Sequence, residues 1–561
     1  MKIFKQQFFL LLLIAIAGPA IAGRIFSKPG TTEEKVFLFT DRSIYIAGEQ
    51  IHFSGTLFNA DGTYDSLLSR ILYCEIVTPE GNSIASKKYR INHALTDGCI
   101  TIPEDQITGI YYLRAYTRQM RKSGPLSYAY KQFKVINPYR NDVLASDNNH
   151  NSPIGEIAQI QEPELNKPLS VFTDKAVYSP RDTIEISYQQ PNSKANAIRS
   201  LCLSVAPANS LSSALPQPLT KEPGTADAIY YPETRGLSLV GKLTEASSLT
   251  PIPDKKINLS IIGEGRDFMA ARTDSLGRFF FALPDYVGSR DIFLCAEKIP
   301  AMAVKIWVDN DFCSAPFHLP SPPFSLTEPE RLTALNMAQN IQIESHFKSI
   351  VIENTIPQKE VNSFYGKPTT ILYLDKYIQL PTLEEYFNEL PSQVKVRKRK
   401  GESYFVIQGS TDLSFYDPLV LVDWVAVDEP SKILAVSPQN ISHIEVVNED
   451  YVKGGQTYGG IISIISKKGN FAGIDLPATG IFVNYRFLAE NKCVEKAAYT
   501  ALQPDTRNTI LWKPDVRAPG NKIEKFVFIA PDTPGKYKVV FEGVSKEGET
   551  FSVSSEFEVN N

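Results

Sequence analysis

Two related stretches decide the fold: residues 40–51 read TDRSIYIAGEQI, and residues 173–184 read TDKAVYSPRDTI. Thr, Asp, a basic residue, a β-branched residue, Tyr, an acidic residue and Ile recur in register in the two copies. Each copy follows an apolar stretch, VFLF at 36–39 or LSVF at 169–172, and precedes an alternating one. This pattern is typical of a strand, a turn and a second strand. Its repetition predicts two related β-sandwich domains in tandem.

The repeated motif, T-D-R-x-x-Y-x-x-G-E-x-I in its first copy, resembles the opening strands of macroglobulin-type domains. These are the immunoglobulin-like modules of alpha-2-macroglobulins and related bacterial surface proteins. We expect Tyr45 and Tyr178 to bury their rings with the hydroxyl near an edge, while the acid and the base hold the turn. The thioester trap of that family needs G-C-x-E-Q. The nearest segment, KCVEKA at 492–497, lacks the Gly and the Gln, which disfavours covalent protease trapping.

Length and composition limit the classes of function. At roughly 150 residues per domain, 561 residues predict several domains. The 58 basic and 62 acidic residues give a net charge of −4, so the chain has no broad positive surface for nucleic acid. The 6 His are scattered and lack metal-ligand spacing. We therefore expect no nucleic-acid partner, no metal and no cofactor.

The N-terminus reads as a secretory signal. Lys2 and Lys5 precede an apolar run from Phe8 to Ala17, and Ala20-Ile21-Ala22 fits a cleavage site. A retained membrane anchor is the weaker alternative, because a spanning helix needs about 20 apolar residues. We expect residues 1–22 to be removed and the protein to be exported, in the periplasm or associated with the outer membrane. Peripheral association with a membrane is compatible with this reading.

The 6 Cys show no C-x-x-C spacing. Cys74, Cys202 and Cys295 lie in strand-like apolar runs and are expected to be buried thiols. A bridge between Cys74 and Cys99 stays open as an alternative, because exported chains form disulfides.

Residues 236–308 alternate strands with tight turns and predict a small sandwich. The order V-G-K-L, P-I-P-x-x-x-I-x-L-S-I and T-D-S-L-G-R-F-x-F-x-L-P resembles the carboxypeptidase regulatory-like domain. Asp274 and Gly277 suit the turn before Phe279. No zinc-peptidase motif such as H-E-x-x-H occurs in the sequence, so the resemblance implies no peptidase activity.

Two capping boxes follow a boundary rich in proline. Thr327 to Glu330 predicts the start of a helix of about 15 residues, and Thr382 to Glu385 predicts a short second helix. In the first helix Leu332 and Leu335 begin an apolar series at three-residue steps.

Residues 381–469 form a compact α+β pattern of a short helix, strands and a Gly-rich turn. P-L-V-L-V-D-W-V, I-S-H-I-E-V-V and Y-G-G-I-I-S-I-I-S-K-K-G resemble the plug domain of TonB-dependent outer-membrane receptors. In that resemblance Asp423 ends a buried strand, Ile441 and Ile444 dock a half-buried strand, and Tyr458-Gly459-Gly460 turns into the last strand. The glycines could instead simply permit tight turns.

A receptor barrel would need over about 200 residues after the plug. Residues 470–561 are too few for it. They alternate instead like another macroglobulin-type sandwich, in which Trp512 is expected to be a core residue. A plug without its own barrel suggests a partner that supplies one, so an outer-membrane barrel or TonB-dependent receptor complex is the expected partner.

The candidate interaction residues are a basic run, Lys395, Arg397, Lys398, Arg399 and Lys400, together with Tyr458, Gly459 and Gly460. The basic run either is a solvated edge that blocks strand pairing or contacts anionic lipid or an acidic partner. No catalytic residue is predicted: the G-x-S-x-G motif is absent and a Cys-His pair could only be assembled in space.

The sequence therefore predicts a mainly β protein of tandem immunoglobulin-like sandwiches with one small α+β plug-like domain. The expected function is a non-catalytic adaptor of the outer-membrane envelope. The alternative is a surface or periplasmic binding protein for polysaccharide or protein, in which the plug-like domain is purely structural. The expected divisions are a signal (1–22), a first macroglobulin-type sandwich (34–138), a linker (139–166), a second such sandwich (167–232), a regulatory-like sandwich (236–310), a helix plus plug-like domain (325–475) and a C-terminal sandwich (479–561).

Overall fold

The computed structural model describes residues 33–59, 68–146, 168–190, 198–211, 230–263, 266–346, 363–390, 393–399, 401–408, 415–489, 493, 504–519 and 522–560. The predicted signal, most of the predicted linker and Lys400 lie outside these residues.

Strands dominate the described residues, and three α-helices accompany them. The strands are Glu34–Thr40 (β1), Ile44–Ile46 (β2), Gln50–Asn59 (β3), Ile71–Val77 (β4), Ser83–Arg90 (β5), Leu95–Thr101 (β6), Gly109–Tyr116 (β7), Ala129–Ile136 (β8), Ser170–Thr173 (β9), Val177–Tyr178 (β10), Thr183–Gln189 (β11), Ile198–Pro207 (β12), Ser238–Glu245 (β13), Lys256–Ile261 (β14), Asp267–Arg272 (β15), Arg278–Ala282 (β16), Ser289–Ala296 (β17), Val304–Val308 (β18), Thr370–Tyr373 (β19), Val394–Arg399 (β20), Glu402–Ile407 (β21), Leu419–Val422 (β22), Val425–Ala426 (β23), Ile441–Val447 (β24), Tyr451–Lys453 (β25), Gln456–Tyr458 (β26), Ile461–Ser466 (β27), Gly480–Arg486 (β28), Leu511–Lys513 (β29), Glu524–Ile529 (β30), Gly535–Ser545 (β31) and Thr550–Val559 (β32). The helices are Glu328–His346 (α1), Leu383–Glu389 (α2) and Pro430–Leu434 (α3).

The first sandwich packs the sheet β1-β3-β6 against the sheet β2-β8-β7-β4-β5. Its neighbouring strands are antiparallel except β2 and β8, which run parallel. Alternate residues of β3 point into the sandwich, as Ile51 and Phe53 do, because successive side chains of a strand face opposite sides. The mainly β, immunoglobulin-like fold class predicted from the repeat is confirmed.

A second sandwich, here called the split sandwich, is built from two distant parts of the chain. Its sheets are β10-β32-β31-β12-β29 and β30-β11-β9. The long strand β12 pairs with β31 over nine registered residue pairs, from Ile198 opposite Ser545 to Pro207 opposite Tyr537. As in the first sandwich, the short strand of the repeated motif, β10, runs parallel to the last strand, β32. The prediction of separate sandwiches at 167–232 and 479–561 is therefore corrected: the two segments complete one fold.

The central sandwich contains the sheets β16-β13-β18 and β15-β14-β17-β28. Its last strand, β28, pairs with β17 from Ser289 opposite Arg486 to Cys295 opposite Gly480. Residues 480–486, which the sequence assigns to the C-terminal sandwich, belong here instead. The first and central sandwiches share a continuous apolar core, whereas the split sandwich has its own core.

The α+β module lies in the chain between β18 and β28. Its sheet has the order β19-β24-β27-β22-β23, in which β22 and β27 run parallel. Two hairpins, β20-β21 and β25-β26, form separate ribbons. Strand β24 buries Ile441 and Ile444, as predicted for a half-buried strand. Asp423 also ends a buried strand, because β22 stops at Val422 and is buried along its whole length.

The capping box at Thr327 forms both of its hydrogen bonds, and the one at Thr382 forms the N-cap bond. The amide of Glu330 donates to Thr327 Oγ1 at 3.4 Å, and the amide of Thr327 donates to Glu330 Oε2 at 2.8 Å. In α2 the amide of Glu385 donates to Thr382 Oγ1 at 3.3 Å. The apolar series of α1 does not form the buried face, since Leu332 is 49% exposed. The helix instead buries Thr333, Ala334 and Met337.

Candidate functional site

The first copy of the repeated motif is a buried hydrogen-bond centre. Asp41 Oδ1 accepts from the Tyr45 hydroxyl at 2.7 Å and from the amide of His52 at 3.0 Å. The amide of Arg42 donates to the same hydroxyl at 3.1 Å. Burial, with the nearby Asp41 carboxylate, raises the pKa of Tyr45 well above its ordinary value. The Asp41 carboxylate thus links the turn after β1 to strand β3 by hydrogen bonds.

The second copy repeats this geometry in the split sandwich. Asp174 Oδ1 accepts from the Tyr178 hydroxyl at 2.6 Å and from the amide of Glu185 at 2.8 Å. The amide of Lys175 donates to that hydroxyl at 2.9 Å. Burial and the hydrogen bond to Asp174 raise the pKa of Tyr178 to about 12. The predicted structural role of the two tyrosines, with buried rings and hydroxyls at the turn, is confirmed.

Arg42 joins the first sandwich to α1 and to the split sandwich. Its guanidinium lies 3.0 Å from Glu49 and 3.4 Å from Asp41. Burial lowers its pKa, but the two carboxylates outweigh burial and hold the pKa above the ordinary value. Asn508 donates to Glu49 at 2.8 Å and to the carbonyl of Met337 in α1 at 3.2 Å. Residues from three parts of the chain therefore meet around one buried cation.

A cleft of about 1150 Å³ opens beside this joint, between the first sandwich, the end of α1 and residues 507–514. Both acidic and basic groups line its walls, so its charge indicates no single class of ionic ligand. The sequence gives no signal for it, because its walls come from segments far apart in the chain. Its polar lining includes His52, Asp97, Glu104, Glu344, Arg507 and Lys513.

A second buried polar cluster joins the first and central sandwiches. Lys88 Nζ of β5 contacts Asp311, and the Tyr73 hydroxyl of β4 donates to Glu233 at 3.0 Å. Arg118 lies 3.9 Å from Glu233 and 3.8 Å from Asp311. Burial lowers the pKa of Lys88 and raises that of Glu233. Because removing one member would leave an uncompensated buried charge, this cluster fixes how the two sandwiches meet.

The predicted basic run lies on the β20-β21 hairpin. Val394 and Val396 of β20 pack with the apolar core of the α+β module. Since residues alternate between the faces of a strand, Lys395, Arg397 and Arg399 share the opposite face of the ribbon. Arg397 and Arg399 are exposed, and Lys395 is half-buried.

The remaining cations of the run differ from these three. Lys398 is on the side that faces α2, where its Nζ lies 3.4 Å from Glu384. Lys400 lies outside the described residues. Among the described acidic side chains, none forms an ion pair with the cations on the outer face of the ribbon.

Tyr458, Gly459 and Gly460 lie in an internal joint. The Tyr458 ring is buried in an apolar cluster with Phe268 of the central sandwich, and the two ring centroids are 6.0 Å apart. The amide of Gly459 donates to the carbonyl of Asp417 at 3.1 Å. A Cβ on Gly460, whose φ is +96°, would lie 2.5 Å from the carbonyl oxygen of Val447. Tyr458 therefore packs the α+β module against the central sandwich, whereas Gly459 and Gly460 form a close turn within the module.

Asp423 anchors the end of β27. Its carboxylate accepts from the amide and hydroxyl of Ser466 at 2.8 and 2.6 Å and from the amide of Phe471 at 2.8 Å. Asp423 and Trp424 both have positive φ, +46° and +67°. A two-residue hairpin turn of this type requires that conformation, and an Asp at its first position tolerates it. The role is structural.

The described cysteines are thiols. Cys74, Cys202 and Cys295 are buried, as predicted. The alternative bridge from Cys74 to Cys99 is not formed, because the two side chains occupy different environments. Cys74 belongs to the interior of the first sandwich. Cys99 lies opposite His52, on the outer face of its sheet.

The described ranges contain neither a candidate metal centre nor a candidate membrane-spanning helix. No group of three His, Cys, Asp or Glu side chains there has an arrangement that would hold a metal ion. No helix there combines the length and apolar composition needed to cross a membrane.

Comparison with known solved structures returned low similarity. Salmonella alpha-2-macroglobulin reacted with methylamine has a TM-score of 0.24 and 10% identity, covering 94% of this chain and 39% of that chain. Escherichia coli alpha-2-macroglobulin activated by porcine elastase has a TM-score of 0.24 and 11% identity, covering 94% and 44%. Dimeric latent PorU from Porphyromonas gingivalis has a TM-score of 0.16 and 11% identity, covering 49% and 34%. The chain spans about two fifths of the length of the alpha-2-macroglobulins.

No curated protein matches the chain. The family comparison instead identifies one part of it: residues 35–135 match the MG2 domain. This range runs from the start of β1 almost to the end of β8, so it coincides with the first sandwich. The first sandwich is therefore the part of the chain that matches this macroglobulin-like domain.

Proposed function

We propose that this protein is a non-catalytic, exported adaptor of the Gram-negative outer-membrane envelope. In this proposal the α+β module docks on an outer-membrane barrel or transport complex, and the sandwiches hold the module in place. The MG2 domain supports a protein-binding role. The resemblances of residues 381–469 to a receptor plug and of residues 236–308 to a carboxypeptidase regulatory-like domain belong to the same proposal.

The observation that carries the proposal is the outer face of the β20-β21 hairpin. Alternate residues on one face of a strand lie about 6.7 Å apart, so Lys395, Arg397 and Arg399 form a short row of positive charge. Tyr404 lies opposite Arg397 and adds a half-buried aromatic ring to the same face. Arginine binds carboxylates with two parallel hydrogen bonds, so this row suits an acidic loop of a partner protein.

The position of the hairpin supports the same conclusion. The α+β module uses its β25-β26 hairpin and Tyr458 to pack on the central sandwich. The β20-β21 ribbon is a different part of the module, and its inner face already contacts the module's own core. Its outer face is therefore available while the rest of the chain stays assembled.

The test is photo-crosslinking in intact cells with a crosslinking amino acid at position 397. We expect crosslinks to a barrel protein of the outer membrane, identified by mass spectrometry. The triple variant Lys395→Glu, Arg397→Glu, Arg399→Glu should abolish co-purification of that protein from solubilised envelope. A variant of equal charge change in the split sandwich, Lys522→Glu, Lys536→Glu, Lys546→Glu, serves as the control and should retain it. Crosslinks to lipid alone, or equal recovery with both variants, would count against the adaptor.

The cleft beside Arg42 favours a second candidate, a binding protein for polysaccharide or protein in which the α+β module is purely structural. Its mixed polar walls and Trp512 suit a neutral, hydroxyl-rich ligand better than a strongly charged one. A glycan array with the purified chain tests this candidate. Binding that is lost in Trp512→Ala but kept in the triple hairpin variant would favour it over the adaptor.

A further inference from the structure

The sheet β16-β13-β18 of the central sandwich has one buried and one open face. Phe279, Phe281 and Ile306 lie in the apolar core. Because successive residues of a strand face opposite sides, Phe280 and Trp307 point away from that core. These two side chains are 51% and 42% exposed. The open face, here called the aromatic face, consists mainly of Lys242, Thr244, Arg278, Phe280, Lys305 and Trp307.

Trp307 is held in place on the aromatic face. Its indole Nε1 donates to Thr244 Oγ1 at 3.1 Å. The Nζ of Lys305 lies 3.8 Å from the centroid of the ring. A side chain that is already oriented loses little conformational freedom when a ligand covers it, so less of the binding energy is spent on ordering it. Trp307 therefore offers a fixed aromatic surface with a cation against it.

The positive charges of the aromatic face lie side by side. Lys242 of β13 is directly opposite both Arg278 of β16 and Trp307 of β18. Like charges opposite each other on neighbouring strands destabilise a sheet. Arg278 is compensated by Asp274, which it contacts at 2.8 Å. In the described part of the chain, neither Lys242 nor Lys305 forms an ion pair. The face thus carries two unpaired cations beside an exposed ring, an arrangement that an anionic ligand would stabilise.

One further carboxylate borders the aromatic face. Asp309 follows the last residue of β18, and its amide donates to the carbonyl of Val240 at 2.9 Å. Two residues along a strand span about 6.7 Å, so Asp309 lies on one side of Trp307 and Lys305 lies on the other. The part of the face that contains Lys242 and Lys305 is therefore the part that attracts an anion.

The chemistry of the aromatic face favours an acidic sugar chain. One side of a sugar ring carries mainly C–H groups, which pack against the negative face of an aromatic ring. From strand geometry, the Cα atoms of Phe280 and Trp307 are about 12 Å apart, a distance that an extended oligosaccharide can span. An acidic peptide would pair with the lysines but offers the two rings no equivalent flat C–H surface. Nucleic acid is disfavoured, because the net charge of the chain is −4.

We propose that the aromatic face binds a polysaccharide whose sugars carry carboxylates. Phe280 and Trp307 stack on sugar rings, and Lys242 and Lys305 pair with the carboxylates. The inference goes beyond the proposed adaptor role, which rests on the β20-β21 hairpin, and does not depend on it. It is also separate from the second candidate function, in which a neutral ligand occupies the cleft beside Arg42.

The experiment measures binding of the purified full chain to polygalacturonate, alginate and hyaluronate by isothermal titration calorimetry. We expect binding to at least one of them, and the affinity should fall as salt is added, because salt screens exposed charges. The methyl ester of the polymer that binds keeps the sugar rings but loses the charge, and it should bind about tenfold more weakly. Polyglutamate and single-stranded DNA are the competing polyanions. Failure of all three acidic polysaccharides to bind, or equal binding of either competitor, would overturn the proposal.

Variants assign the binding to this face. Trp307→Ala and the double variant Lys242→Glu, Lys305→Glu should each weaken binding about tenfold. The double variant should also reduce the dependence on salt. Trp307→Phe keeps a ring and should retain most of the affinity. Because Lys242 and Lys305 are not core residues, the double variant decides the question even if Trp307→Ala lowers the thermal transition.

Matched controls remove similar groups elsewhere. Phe172→Ala removes a ring that is 55% exposed in the split sandwich, and Lys468→Glu reverses an exposed cation of the α+β module. Both should bind like the parent chain. Unchanged binding in the aromatic-face variants, or a loss that appears in Trp512→Ala instead, would place the polysaccharide in the cleft or elsewhere and would contradict the assignment.

Discussion

Asp41 and Asp174 occupy equivalent positions in the repeated motif but differ in exposure to solvent. Asp41 is buried beside Arg42, whereas Asp174 is exposed. Replacing Asp41 by Ala leaves a buried guanidinium with one carboxylate fewer, so we expect a loss of about 3 kcal/mol in the local free energy of unfolding. Asp174→Ala removes hydrogen bonds that water can replace and should cost about 1 kcal/mol. Hydrogen exchange of β3 and β11 in the full chain measures both losses.

Each variant serves as the control for the other, because each removes the aspartate at the equivalent position of the same hydrogen-bond pattern. Equal losses in β3 and β11 would mean that the motif, and not its burial, sets the stability. The sequence was sufficient to predict the shared role of the two tyrosines, because the motif is local. It could not predict the difference in burial, because the groups that cover Asp41 include Thr509 and other residues far along the chain.

The β25-β26 hairpin is one of the elements that dock the α+β module on the central sandwich, together with β23, whose Ala426 amide donates to Ser260 of β14. At the tip of the hairpin a Cβ on Gly454 would lie 1.7 Å from the carbonyl oxygen of Ala270 in β15. We expect Gly454→Ala to displace the hairpin and break the ion pair of Lys453 with Asp267, which is 3.5 Å long. Hydrogen exchange should rise in both β15 and β25-β26, while the sheet β19-β24-β27-β22-β23 stays protected.

Gly455→Ala is the matched control for Gly454→Ala. Gly454 and Gly455 both have positive φ, +58° and +74°, so either alanine bears a left-handed backbone cost of about 1–2 kcal/mol. A Cβ on Gly455 meets nothing within 4 Å. If Gly455→Ala raised exchange in β15 as much as Gly454→Ala does, backbone strain rather than contact with β15 would explain the effect.

At the level of elements, local sequence patterns predict where helices and strands lie better than they predict which strands pair. The capping boxes at Thr327 and Thr382 located the starts of α1 and α2, and alternation located most strands. The partner of a strand is a different problem, because alternation looks the same whichever sheet the strand joins. Strand β28 shows this: it reads as part of a C-terminal sandwich but pairs with β17. The basic run is likewise visible in the sequence, whereas which of its residues face away from the module depends on the packing of β20 against the module's core.

Over the whole molecule, the chain is nested. In the order of the sequence, the central sandwich is inserted between the two halves of the split sandwich. The α+β module is in turn inserted between two strands of the central sandwich, β18 and β28. Neither half of the split sandwich contains a complete pair of sheets: β11 needs β30, and β12 needs β29 and β31. The cleft and the Arg42 joint both use residues 507–514, so they exist only when the later half is in place.

This nesting predicts the behaviour of a chain that stops at residue 503. Strands β9–β12 would lose every partner from β29–β32 and expose the apolar faces of Leu203 and Val205, so residues 168–211 should become sensitive to limited proteolysis. Strands β4 and β5 of the first sandwich should stay resistant and serve as the internal control, because they lie at the opposite edge of their sheet from β8, whose Lys131 is 3.9 Å from Glu542 of β31. Adding residues 504–561 as a separate polypeptide should restore protection by rebuilding the β12-β31 pairing. If residues 168–211 stayed protected in the shortened chain without it, they would form a sandwich of their own, and the pairing of the two distant segments would not be what stabilises the fold.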